Sequence, residues 1–272
     1  MMLDRSLSVR VFCAMLARDA RVVRRDFPAF ATRTIMQPLL FVFVFAYVLP
    51  KISTAAQPTA GNAPTSFATI LVPGMVALSM LFSGIMAVTT PLVNELSFAR
   101  EIEDRLLAPI PSWLLAVEKL VSGALQSLLA GVLVLPVVYA VHAKDAVAQI
   151  QLSGWPLLVT VFVLAATLSS ALGLLVGVVV DPRHINVVFT VIVLPLTMLG
   201  CVYYPWATLE NIPWLQYLAL FNPLVYASEG LRAALTSQLP HMHTWALLSA
   251  LTAGTAIAGW AGTRLFLRRA VS

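Results

Sequence analysis

The run FATILVPGMVALSMLFSGIMAVTTPLV, from Phe67 to Val93, carries no charged side chain. A helix rises about 1.5 Å per residue and needs about 20 apolar residues to cross a hydrocarbon core, so this run is long enough to span a membrane. A membrane β-strand would alternate in polarity over about 10 residues, whereas this stretch is continuously apolar. The whole chain agrees with it. Of 272 residues, 60% are hydrophobic and 11% charged, with a mean hydropathy of +0.89. Soluble domains carry about a quarter of their residues as charges. A chain with so little charge cannot cover itself in water, so its solvent is lipid.

Five further runs read as spans: 34–49, 120–141, 155–180, 185–204 and 245–263. With 67–93 they predict an all-α polytopic membrane protein of six transmembrane helices. Residues 1–33 form a separate N-terminal segment, and 34–272 form the transmembrane domain. Six spans put both termini on one side. The first 33 residues hold seven arginines and no long apolar core, so no cleavable signal peptide is expected.

Lysine and arginine set the orientation. With the N-terminus inside, fourteen of the seventeen fall in cytoplasmic segments, and only Lys51, Lys144 and Arg232 fall outside. The expected location is a bacterial cytoplasmic (inner) membrane, with both termini cytoplasmic. The pI of about 9.6 then reflects orientation, and no nucleic-acid partner is expected.

Val9, Phe12, Leu16, Ala20, Val23, Phe27 and Phe30 recur at steps of three and four, which is one face of a helix. Arg10, Arg18, Arg21 and Arg25 give it a basic side. Such a helix lies in the membrane interface with its arginines toward anionic head groups, and Pro28 ends or bends it. The alternative is a plain basic topogenic tail.

The loop NELSFAREIEDRLLAPIP, Asn94 to Pro111, predicts a short charged helix. Phe98, Ile102 and Leu106 form its apolar stripe. Arg100, Glu101, Glu103 and Asp104 lie off that stripe, and Glu101–Arg105 is an i,i+4 pair in the favoured order. Taken alone, this reads first as an ordinary loop helix with a solvated face.

The connection after the fifth span is too apolar for a free loop. Trp206, Ile212, Trp214, Leu215, Tyr217, Leu218, Leu220 and Phe221 crowd it. Two short helices dipping into the outer leaflet and returning would fit. Pro213 suits the first turn of one. Asn222 can cap the next, with Pro223 at its first helical position. Glu229 and Arg232, at i,i+3 near the outer surface, can neutralise each other. Exchanging their charges should then restore part of what a single substitution removes.

FAREIEDRLLAPIPSWLLAVEKLVSG and LPLTMLGCVYYPWATLENIPWLQYLALFNPLVYASEGLRAAL (Leu194 to Leu235) resemble the corresponding segments of ABC-2 type permeases, the membrane subunits of drug, Nod-factor and polysaccharide exporters. The second segment carries Leu199-Gly200 where that family more often has Ser-Gly, then Tyr203-Tyr204-Pro205, Pro213-Trp214, Asn222-Pro223 and Gly230-Leu231-Arg232. FATILVPGMVAL fits the start of the family's second helix.

This resemblance implies an exporter of a hydrophobic or amphipathic substrate: a drug, a lipid or a lipid-linked glycan. It implies a permease homodimer and a separate ABC ATPase in two copies, with ATP and Mg held on that partner chain. Phe98, Arg100, Glu101, Ile102, Asp104 and Arg105 become the ATPase-coupling helix, beside the interfacial helix of Arg18, Arg21 and Arg25. The re-entrant pair becomes an extracellular gate built on Tyr203, Tyr204, Asn222, Pro223, Glu229 and Arg232; its plainer reading is a structural cap on the bundle. Spans two and five would face the substrate path, with Phe82, Met86, Met198 and Val202 as candidates, although such residues also pack helices.

The chain has no Gly-x-x-x-x-Gly-Lys-[Ser/Thr] phosphate loop, and no nucleophile–base pair stands out, so no catalysis is expected on it. His241 and His243 alone make no metal site. Cys13 and Cys201 fall on opposite sides and are not expected to pair. Two rival classes are an ion-gradient-driven secondary transporter and a non-transporting assembly or anchor protein. The absence of evident internal repeats and of mid-span charges counts against the first.

Overall fold

The computed structural model of the chain describes residues 5–48, 67–97, 112–140, 154–184, 187, 191 and 195–271. The described residues contain no strand. Among the described residues the α-helices with defined bounds are, in order, α1 (Arg5–Arg25), α2 (Phe27–Val42), α3 (Phe67–Ser97), α4 (Ser112–Ala140), α5 (Trp155–Val179), α6 (Pro213–Ala219), α7 (Pro223–Leu235) and α8 (Thr244–Val271). A π-helical segment, Phe43–Val48, continues α2, and short 3-10 turns occupy Pro182–His184 and Trp206–Asn211.

Four of these helices are long and apolar enough to cross a membrane, over Thr69–Glu95, Trp113–Val137, Trp155–Val179 and Thr244–Arg269. The span expected over 34–49 falls on α2 and its π-helical continuation, pieces of 16 and 6 residues. Of the one expected over 185–204, eight residues lie outside the described ones; 187, 191 and 195–198 are helical, and the chain turns from 199, so the helix stops six residues short of the expected end. The loop over 98–111 lies wholly outside the described residues.

The break between α1 and α2 is slight. It falls at Asp26, with Pro28 in the first turn of α2, where its missing N–H costs nothing. Pro38, inside α2, has no N–H to give back along the helix, and the π-helical segment begins five residues later.

About 72% of the membrane window of α3 and 67% of that of α5 are buried within the chain, against 22% for α8. Helices α3 and α5 are therefore the middle of the bundle, with α8 at its rim. Small residues let the middle close. A Cβ at Gly84 would overlap Ser169, and one at Gly173 would lie 2.7 Å from the Ile85 carbonyl oxygen. Hydroxyls tie the same helices. Ser127 Oγ donates to the Met80 carbonyl at 2.8 Å, Thr89 Oγ1 to that of Gly173 at 2.9 Å, and Ser170 Oγ to that of Leu120 at 2.6 Å. In lipid, packing of this kind replaces the missing hydrophobic drive between helices.

The bundle has two distinct ends. At one, Met15 of α1, Leu92 of α3, Leu115 of α4, Val178 of α5 and Phe266 of α8 share an apolar cluster. Arg269 of α8 also donates to the Val178 carbonyl there. At the other, Gly74 of α3 lies against the backbone of Val202. Gly74 and Glu95 are 21 residues apart on α3, hence about 32 Å at 1.5 Å per residue, close to one hydrocarbon thickness.

Candidate functional site

The end near Gly74 holds an ion pair with no exposure to solvent. Helix α7 begins where the sequence suggests. Asn222 Oδ1 accepts from the Leu224 N–H at 2.9 Å, and Pro223 fills the first turn. The other side of the Asn222 amide is also used, since Nδ2 donates to the Leu196 carbonyl at 2.7 Å and anchors the cap to the chain before the turn. One turn further, Ser228 Oγ donates to the Gly200 carbonyl at 2.8 Å. These contacts aim the next polar residues inward.

Glu229 and Arg232 are both fully buried and paired through Oε1 and Nη1. The carboxylate has further donors. Oε1 accepts from the Trp206 N–H at 2.9 Å and Oε2 from the Met242 N–H at 3.1 Å. Arg232 Nη2 donates to the Cys201 carbonyl at 3.0 Å, while its buried Nε has no acceptor. Cys201 has φ 51°, left-handed backbone that a non-glycine residue adopts at a cost of about 1–3 kcal/mol. The guanidinium therefore holds the carbonyl of a strained turn residue. One ion pair joins four pieces of chain: the turn after residue 198, the 3-10 turn, α7 and the segment leading into α8. Burying both charges is tolerable because each has opposite charge and backbone partners around it.

The neighbouring candidates fall around this pair. Tyr203 is half-buried, its ring 5.7 Å from that of Phe41, and Tyr204 donates its hydroxyl to the Met198 carbonyl at 2.8 Å. Val202 is fully buried against α3, whereas Met198 is exposed. Of the substrate-path candidates, Phe82 and Met86 line one cavity together. Its volume is about 230 Å³, and Arg33 lines it.

The opposite end carries a second charge cluster. Lys119 Nζ lies 3.0 Å from Glu95 Oε1 and 4.0 Å from Glu118 Oε2. Arg18 of α1 reaches Glu95 at 3.8 Å and Asp19 at 3.5 Å, and Ser122 Oγ donates to Asp19 Oδ2 at 2.9 Å. This network ties α1 to the last turns of α3 and the first turns of α4. Of the interfacial arginines, Arg18 joins it, Arg21 donates to the Ala17 carbonyl at 3.1 Å, and Arg25 is exposed. The coupling candidates Phe98 to Arg105 lie outside the described residues, but the described part of α3 leads directly into them through Glu95.

Sequence reasoning passed over Asp19 and Glu118, took Glu95 only as the start of the charged coupling segment, and placed Lys119 in a loop. Glu118 and Lys119 instead sit in the second turn of α4, which starts at Ser112. The available signal was that Glu118 and Ser122 stand four apart, on one helix face, within an otherwise apolar run.

Cys13 and Cys201 are both free thiols. The described residues contain no group of three or more His, Cys, Asp or Glu able to hold a metal ion.

Residues 10–236 match the family model described as ABC-2 type transporter. Among curated proteins, the chain is 30% identical over 168 residues to the inner membrane transport permease YadH of Escherichia coli strain K12. The alignment covers 61% of this chain and 62% of that protein. YadH of Shigella flexneri gives the same identity and coverage. The chain thus spans somewhat under two thirds of the length of these relatives.

Proposed function

The chain belongs to the ABC-2 type transporter family, and on that premise we propose that it is the membrane subunit of an ATP-driven exporter. Two copies pack around a central path, and each docks a separate ABC ATPase that binds ATP and Mg. The chain crosses the bacterial inner membrane six times with both termini in the cytoplasm. The cargo is hydrophobic or amphipathic.

The observation that carries this reading is the family match over residues 10–236. Geometry adds to it. Two charge clusters stand at opposite ends of one bundle, about one hydrocarbon thickness apart. The Glu95 end gathers α1, rich in arginine, and the basic last turn of α8, as a cytoplasmic face would. The segment 98–105 leaves α3 at that end, so an ATPase pushing on it would act on Glu95 and, through Lys119 and Arg18, on α4 and α1. The Glu229–Arg232 end is then the extracellular gate, where the apolar chain between Trp206 and Phe221 dips into the outer leaflet and returns. Trp214, Tyr217 and Phe221 are exposed on it, as lipid-facing residues would be.

Orientation is tested by labelling. A cysteine at position 62 is expected to react with an impermeant thiol reagent added outside intact cells, and a cysteine at position 183 only after the membrane is opened. Measuring both in a background lacking Cys13 and Cys201 gives a clean comparison. The reverse pattern would overturn the assignment of inside and outside.

A further inference from the structure

The cavity between α2 and α3 has two unlike walls. From α2 come Arg33, Thr34 and Gln37, at i, i+1 and i+4 on one helix face, all of them hydrogen-bond donors. From α3 come Phe82 and Met86, one turn apart, with Ser83 between them. Ser83 has already committed its hydroxyl hydrogen to the Gln126 carbonyl at 3.4 Å. One wall thus offers donors and a positive charge, and the other is mainly apolar.

The depth of the cavity is unusual for a cation. Met86 stands nine residues before Glu95 on α3, about 14 Å inward from the charge cluster at that end. Some arginines have company: Arg18 meets carboxylates, Arg232 is paired, Arg264 stacks 5.1 Å from the ring centroid of Trp260, and Arg269 donates to a carbonyl. Arg10, Arg24, Arg25, Arg183 and Arg268 are exposed and lack a side-chain partner among the described residues, but none of them lines this cavity. Arg33 is also exposed and without a hydrogen bond or ion pair among the described residues, and it differs from these in lining a cavity level with Phe82 and Met86. A cation at membrane depth is costly, and those that persist face a cavity and a partner. The partner missing here is an anion.

We infer that this cavity takes the head of an amphiphilic substrate that carries negative charge (a phosphate, sulfate or carboxylate), with Arg33 as its counter-charge and Phe82 and Met86 against its chain. This rests on the exporter reading and narrows its cargo to anionic amphiphiles. The planar guanidinium suits a phosphate or carboxylate in particular, since it can give two parallel hydrogen bonds.

The test starts with the purified permease in phosphatidylcholine nanodiscs, and binding is measured for dodecyl phosphate, dodecanol and dodecyltrimethylammonium. Wild type is expected to bind the phosphate about tenfold more tightly than the alcohol, the worth of about 1.4 kcal/mol. Arg33→Gln is expected to lose that tenfold on the phosphate and nothing on the alcohol, while Arg33→Lys keeps most of it. Equal affinity for the three chains, or an unchanged preference in Arg33→Gln, would overturn the inference. A second arm adds the ATPase partner. Dodecyl phosphate should stimulate hydrolysis with wild type and not with Arg33→Gln. Binding without stimulation would mark a resident anionic lipid and overturn the assignment as substrate. Binding needs no ATPase, so a permease that binds the phosphate through Arg33 yet never raises hydrolysis, with or without amphiphile, would retain the anion site and fail as an exporter.

Discussion

Glu229→Ala and Arg232→Ala are each expected to lower the stability of the purified permease by about 3–5 kcal/mol, the range for removing one member of a buried ion pair. Each change leaves the other charge in a site closed to solvent. Glu229→Ala also orphans the N–H groups of Trp206 and Met242, and Arg232→Ala leaves the Cys201 carbonyl without its donor. Glu229→Gln keeps the shape but still strands the guanidinium charge. The double exchange, Glu229→Arg with Arg232→Glu, is not expected to rescue. An arginine at 229 cannot accept from two backbone N–H groups, and a glutamate at 232 would place an acceptor where the Cys201 carbonyl needs a donor. The sequence alone suggested partial rescue, and the backbone partners remove that expectation. The check is the thermal unfolding midpoint of the four variants in detergent. A swap that restores the wild-type midpoint would show that the pair interacts only with itself.

Gly74→Ala is expected to cost about 3 kcal/mol, the upper end for overpacking a close-packed interior. The new Cβ would overlap the carbonyl oxygen of Val202 and come within 2.6 Å of its Cα. The obstacle is backbone, which has no rotamer to adopt, so α3 and the turn that carries Cys201 must separate. That turn is the one held by Arg232, so the damage should spread to the buried pair. Gly259→Ala on α8 is the control. Its Cβ would meet Ala171 Cβ at 4.0 Å, an ordinary contact, and alanine favours helix by up to about 1 kcal/mol. Folded yield and unfolding midpoint should fall for the first variant and stay level or rise for the second. Equal behaviour of the two would mean that α3 does not pack on Val202 as described.

The helical class, the cap of α7 and the pairing of Glu229 with Arg232 were legible in the sequence, because each rests on local spacing. Asn222 followed by Pro223 marks a helix start wherever it stands, and i,i+3 places two side chains on one face. The depth of the pair was not legible. Its burial is tolerated because the N–H groups of Trp206 and Met242 donate to the carboxylate, and a backbone donor leaves no mark in the residue pattern. The left-handed turn at Cys201 was hidden for a related reason, since a non-glycine residue there announces nothing. The start of α4 was misjudged by eight residues because Glu118 and Lys119 read as the end of an apolar run. Lys119 is met by Glu95, which arrives from α3, whereas Glu118 keeps Oε2 buried without a hydrogen bond. Charge in a helix is read as a boundary until its distant partner is known.

The central claim is that this chain transmits ATP hydrolysis on a partner to movement across a membrane. Its most direct test is the hydrolysis rate of a candidate ABC ATPase from the same organism, purified with the permease and reconstituted in lipid vesicles. The account predicts a stable complex whose ATPase activity changes several-fold relative to the ATPase alone. It also predicts that Glu101→Ala with Asp104→Ala abolishes the change while leaving the permease in the membrane. An ATPase that neither binds the permease nor alters its rate in its presence, or a double variant indistinguishable from wild type, would contradict it.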